Sequence, residues 1–211
     1  MNPAQNTSIL RVDALHFSHS NQALFSNFSA SISPRITLIR GGDGRGKSTL
    51  LRLLAGELPL QNGQLHINGI SLQTQPENYT AHVFLADQRI DSFDQFTVPE
   101  YFNLQRSKHA GFNDSVLTEV IDGLGLEEHL HKQLFMLSTG SKRKVFLAAA
   151  LASGAQVTLL DDPFAALDTA SIRFVLGWLD AAASATNRAW VIAGHVAPDG
   201  LSLAQIIDLG D

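Results

Sequence analysis

Apolar residues first recur at every second position, through LRVDALHF at residues 10–17 and LFSNFSASI at residues 24–32, just ahead of Pro34. A period of two predicts a pair of half-buried strands forming an antiparallel patch. The pattern then changes. ITLIR at 36–40, VTLLD at 157–161 and AWVIA at 189–193 are short, nearly continuous apolar runs, as expected for strands covered on both faces. Elsewhere the spacing becomes three to four. Leu50, Leu51, Leu54 and Leu58 predict a helix after the first run, and Ile172, Val175, Leu176 and Leu179 predict another between the last two. Val116, Val120 and Leu124 fall in step, with Leu117 and Ile121 beside them. Buried strands alternating with helices predict an α/β fold with a mostly parallel core sheet, to which the N-terminal antiparallel β patch is added. We expect a single domain over 1–211, its core at about 1–88 and 154–211 and an inserted helical subdomain at about 89–153.

Composition narrows the chemistry. At 211 residues and 45% hydrophobic content the chain can bury a sizeable core. Its lack of cysteine excludes disulfides, thiolate zinc sites and cysteine nucleophiles. A net charge of −5 gives no general attraction to nucleic acid, so no nucleic-acid partner is expected. The basic run Lys142-Arg143-Lys144 is accordingly read as a solvated helix face, and His129 and His131 as surface residues. The N-terminal MNPAQNTSIL has no signal-peptide pattern, and the run VFLAAALA at 145–152 falls short of the ~18–20 residues that cross a bilayer. A cytoplasmic chain is expected, with any membrane spanning done by another subunit.

The stretch GGDGRGKST, Gly41-Gly42-Asp43-Gly44-Arg45-Gly46-Lys47-Ser48-Thr49, contains G-x-x-x-x-G-K-[ST] between a predicted strand and a predicted helix. That order lets backbone N–H groups cradle phosphates, Lys47 neutralise charge and the Ser48 hydroxyl reach Mg²⁺, while the helix adds its N-terminal positive end. Asp43 sets a carboxylate beside an anion site, and Arg45 must turn outward or pack across the loop. A second metal-holding carboxylate is needed at the end of a neighbouring strand. Asp161, closing VTLLD, supplies it, and Asp162 follows directly. The residues alone predict a P-loop nucleotidase fold, an NTPase whose nucleotide phosphates are held with Mg²⁺.

At this point the chain resembles the ATP-binding subunits of ABC transporters over nearly its whole length. Leu137-Ser138-Thr139-Gly140-Ser141, followed by an alanine-rich helix, resembles the signature motif. PFAALD at 163–168 resembles the loop in which Asp168 couples the two sites of a dimer, His195 stands at the switch-histidine position, and Gln88 at the glutamine-loop position. FTVPEYFNL at 96–104 and GQLHINGISL at 63–72 resemble neighbouring segments. The resemblance implies ATP as the nucleotide and a homo- or heterodimer with a second ATP-binding subunit, the signature of one covering ATP on the loop of the other, attached to a membrane-spanning transporter subunit on the inner face of the cell membrane. It implies that Ser48, Gln88 and Asp161 hold the metal and that Gln88, Asp162 and His195 act in catalysis. A groove around Gln88 to Phe102 would receive a coupling helix, and the helix after the signature is expected to start near Ser141. Phe17 and His19 are the candidates to stack on adenine, with His19 favoured by register.

Three departures bear on rate. Asp162 replaces the family's glutamate, Thr139 its first signature glycine and Ser141 its signature glutamine. Two functions therefore compete: an ATP-hydrolysing subunit that energises transport, of the compact type that includes haem-exporter subunits of cytochrome maturation, and a nucleotide-gated regulatory subunit that turns over slowly. A soluble cassette protein acting on ribosomes or DNA would usually carry two cassettes in tandem, and one is found here.

Overall fold

In the computed structural model, residues 8–19, 22–86, 91–185 and 187–210 are described. The chain begins with two long strands, β1 (Leu10–His19) and β2 (Gln22–Ile32), paired antiparallel as their alternation predicts. β3 (Arg35–Arg40) follows, with four consecutive buried residues, and leads through the glycine loop into helix α1 (Lys47–Leu54). Leu50, Leu51, Leu53 and Leu54 are buried on α1, but Leu58 lies beyond it. The helix stops because Gly56 turns into the left-handed region at φ 75°, so the apolar spacing at Leu58 is that of a loop residue packed on the same core. β4 (Asn62–Ile67) and β5 (Ile70–Ser71) form a hairpin over Asn68 and Gly69, both at positive φ, the pairing that a two-residue primed turn requires.

Helix α2 (Pro76–Ala81) and strand β6 (Val83–Ala86) come next, and then α3 (Val98–Lys108), α4 (Asp114–Leu124) and α5 (Thr139–Ala152). α3 begins with a complete capping box, in which the Thr97 side chain accepts from Glu100 N–H and the Glu100 carboxylate accepts from Thr97 N–H. On α4 the buried stripe is Leu117, Val120 and Leu124 rather than Val116, Val120 and Leu124, with Val116 and Ile121 packed at its margin. α5 starts at Thr139, two residues ahead of the expected Ser141, because the Ser138 hydroxyl caps it by accepting from Ser141 N–H at 3.1 Å. β7 (Val157–Asp161), α6 (Thr169–Ala185), β8 (Ala189–Gly194) and β9 (Leu203–Asp208) complete the order.

Two sheets result: an antiparallel one in the order β2-β1-β4-β5 and a parallel one in the order β6-β7-β8-β3-β9. The parallel strands turn alternate residues to opposite sides. Ile36, Leu38, Leu160, Trp190 and Ile192 pack toward α3, α4, α5 and α6, whereas Ile39, Val157, Leu159, Val191 and Ala193 pack toward α1 and the antiparallel sheet. Both faces are therefore covered, which is why these strands read as unbroken apolar runs. Leu159→Ala, in this two-sided layer, should cost about 2–5 kcal/mol in urea unfolding. The half-exposed Ile206→Ala on edge strand β9 should stay within about 0.5 kcal/mol.

Candidate nucleotide site

Parallel register places the chemistry. Asp161 at the end of β7 pairs with Ala193 on β8, and Arg40 at the end of β3 pairs with Gly194, so three strands finish at one level. The segments that follow them, Asp43–Thr49, Asp161-Asp162 and Gly194-His195, line a single cleft of about 440 Å³. Gln22 and Leu24 also line it. Sequence reasoning missed these two, although Gln22 pairs directly with His19 across the β1–β2 ladder, and extending the hairpin by register would have brought it in.

The loop is preorganised by its own lysine. Lys47 Nζ donates to the carbonyls of Gly41 at 2.6 Å and Gly42 at 2.9 Å, drawing the loop around the ammonium at the start of α1. Gly46 sits at φ 89° against Leu24, a left-handed turn that lets α1 begin without a side-chain cap. The first-turn amides of α1 and its positive end thus face the cleft. Arg45 is exposed. Asp43 is exposed too, with Oδ1 3.3 Å from His195 Nε2, so the loop carboxylate meets the histidine across the cleft mouth.

This arrangement fits a nucleoside triphosphate with Mg²⁺. A lysine, two left-handed glycines and a helix N-terminus converge where phosphates would lie. Ser48 and Asp161 share the cleft, while the described residues hold no cluster of three or more His, Asp or Glu side chains able to bind a metal unaided. That donor set suits Mg²⁺, which retains waters and takes phosphate oxygens. Phe17 is buried, its ring edge-on to His19 at 4.9 Å, whereas His19 is exposed and lines the cleft. Asp162 N–H donates to Ala193 O at 3.0 Å and holds the residue at φ 46°. Gln88 lies outside the described residues.

Leu137, Ser138, Thr139, Gly140 and Ser141 stand apart from this cleft, at the start of α5. The Ser138 and Ser141 hydroxyls are 2.9 Å apart. A Cβ at Gly140 would lie 2.6 Å from the carbonyl oxygen of Ala166, so glycine is required for the helix to approach the 163–168 loop this closely. The basic run is no solvated face. Lys142 is mostly buried and ion-paired with Asp94 and Asp91, and Lys144 is mostly buried and ion-paired with Asp168 at 2.7 Å, because carboxylates of the turn at Asp91–Phe93, of Asp94 and of the 163–168 loop fold onto two different sides of α5. His129 is largely covered as well, its Nδ1 3.0 Å from Lys132 Nζ.

A second cleft of about 400 Å³ lies between the core and the helices, lined by Phe84, Phe93, Tyr101, Gln105, His109 and Phe146 among others. Burial holds the His109 imidazole below its ordinary range, against a weaker opposing contact with the Ala81 carbonyl.

The ABC transporter family model matches residues 25–165, and the chain belongs to the ABC transporter family, as an ATP-binding protein. It is 31% identical over 205 residues to the cytochrome c biogenesis ATP-binding export protein CcmA of Wolbachia pipientis wMel, covering 95% of this chain and 96% of that one. It is 32% identical to the manganese transport system ATP-binding protein MntA of Synechocystis, over 75% of this chain and 65% of that one. Among solved structures, an ATP-binding subunit of an ABC transporter superposes with a TM-score of 0.80 at 21% identity, covering 90% of this chain and 80% of that one. A putative ABC transporter ATP-binding protein from Pyrococcus furiosus gives 0.75 at 22%, covering 95% and 96%. The P-loop NTPase fold with its parallel and antiparallel sheets is theirs. The regulatory alternative gains no support from these relatives.

Asp168 carries a pH signature. The Lys144 ammonium bonded to its carboxylate, and then Ser171 N–H at 2.8 Å and Ser171 hydroxyl at 3.0 Å, hold its pKa far below the ordinary 3.8. A depressed folded pKa stabilises fully above the unfolded value and is lost as pH falls toward the folded one. The urea midpoint should therefore fall below pH ~4 more steeply in wild type than in Asp168→Asn, measured from pH 5 to pH 2.

Proposed function

We propose that the chain binds and hydrolyses ATP and that this cycle energises a membrane-spanning partner. The observation that carries the reading is the convergence of the phosphate loop, the Asp161-Asp162 pair and His195 on one cleft at the ends of β3, β7 and β8. In this reading Lys47 and the loop amides hold the phosphates, His19 stacks on adenine, and Ser48, Asp161 and Gln88 hold Mg²⁺. Bound there, the metal neutralises charge on the phosphate oxygens. Asp162 accepts a hydrogen bond from the attacking water and His195 orients that water or the terminal phosphate, so the water oxygen is aimed in line with the bond that breaks.

The signature residues Leu137 to Ser141 act on a second subunit. Their distance from the chain's own cleft supports this, as does the cap of α5 at Ser138, which leaves the helix N-terminus at the surface for a phosphate. Opening and closing of such a dimer with the presence and loss of the terminal phosphate would move a membrane partner. The second cleft, aromatic and half enclosed, is the place for a helix of that partner. No helix among the described residues is long and apolar enough to cross a membrane. As the ATP-binding companion of a membrane-spanning subunit, the chain in this reading works at the cytoplasmic face of that membrane. The likeness to CcmA over nearly both full lengths supports an export subunit.

Steady-state ATP turnover and binding of a fluorescent ATP analogue test the assignment. Lys47→Ala should lose nucleotide retention, whereas Asp162→Asn should retain binding and lose on the order of a hundredfold in turnover. Undiminished turnover in Asp162→Asn would remove that residue from the mechanism.

A further inference from the structure

Two contacts on one face of α5 tie it to the loop between β7 and α6. At Gly140 the helix backbone lies against the Ala166 carbonyl, closer than any Cβ would permit. One turn further along, Lys144 Nζ reaches Asp168 Oδ2 at 2.7 Å and also donates to the Leu124 carbonyl at the end of α4, at 3.2 Å. Positions four apart share a helix face, so these are two anchor points on one side of α5, matched to two loop residues two positions apart. A single contact would leave a hinge, whereas two fix direction as well as distance. Asp168 is itself fixed, accepting from Ser171 N–H and hydroxyl at the start of α6. The far end of the same loop is Asp162, bonded through its N–H to β8 two residues before His195.

We propose that Lys144 is a positioning residue: it locks the first turn of α5, carrying Ser138 and Gly140, to the loop carrying Asp162, so that the two move as one piece. The proposal rests on the two-subunit reading above. An anion drawn to the first turn of α5 by the partner's site then shifts the carboxylate in this subunit's own site, and occupancy of one site sets the geometry of the other. The ion pair adds some stability, the part that is lost on acidification, but Asp168 is more than half exposed and solvent limits that contribution even though Lys144 is mostly buried. Removing Lys144 should therefore lower stability only slightly and disturb coupling far more.

The test compares wild type, Lys144→Met and Lys144→Arg in three measurements: hydrolysis against ATP concentration, affinity for a fluorescent ATP analogue, and the urea midpoint. In Lys144→Met we expect unchanged affinity and a near-unchanged midpoint, a Hill slope that falls to one, and a loss of about tenfold in turnover. Lys144→Arg should recover both, since a guanidinium reaches the same carboxylate. A wild-type slope and turnover in Lys144→Met would overturn the proposal, as would a loss that follows the urea midpoint and is not rescued by arginine. A wild-type chain whose turnover shows no cooperativity in ATP would instead sink the two-subunit reading beneath it.

Discussion

Parallel strand register is the constraint on which the rest depends. Once β3, β7 and β8 are buried on both faces, their hydrogen-bond ladders leave no freedom to slip, because a one-residue shift would exchange the two apolar sets that face opposite layers. Ile39, Asp161 and Ala193 are thereby brought into one line across the sheet. Each strand then hands its chain to a polar segment at the same edge, which is where open α/β sheets bind ligands. The phosphate loop lies more than a hundred residues ahead of the paired carboxylates and the histidine, which are themselves separated by the whole of α6 and β8, and it is the buried ladders that bring them together.

The same physics explains what could be read beforehand. Two-sided burial writes itself into sequence as continuous apolar runs, so β3, β7 and β8 were legible to within a residue or so, and with them the loop and the carboxylates that follow. One-sided or peripheral elements leave fainter marks. β9 at the sheet edge alternates between half-buried and exposed residues, and α2 buries only Tyr79, so neither announced itself. Leu58 imitated a helical position because a loop beyond Gly56 folds back on the same core. The start of α5 was misjudged for a different reason: the cap is made by a hydroxyl, Ser138, that sequence similarity assigns to another task.

Charge was the least legible property. Three adjacent cations looked like a solvated stripe, yet two are mostly buried against carboxylates from Asp91, Asp94 and Asp168, which lie tens of residues away. Nothing in local spacing marks such partners, since tertiary folding alone sets them together. Asp43 is a similar case. In sequence it is only a carboxylate set beside an anion site, whereas in the fold it is exposed, with the His195 imidazole 3.3 Å away.

Asp162 occupies a left-handed backbone position, φ 46°, held by its N–H bond to β8. Short polar side chains, aspartate and asparagine above all, tolerate that conformation better than longer ones. Aspartate is therefore a residue whose backbone suits the turn found at this position. The same turn sets the carboxylate on the wall of the cleft, so one backbone conformation governs both the ease of the fold at this point and the place from which the side chain can reach.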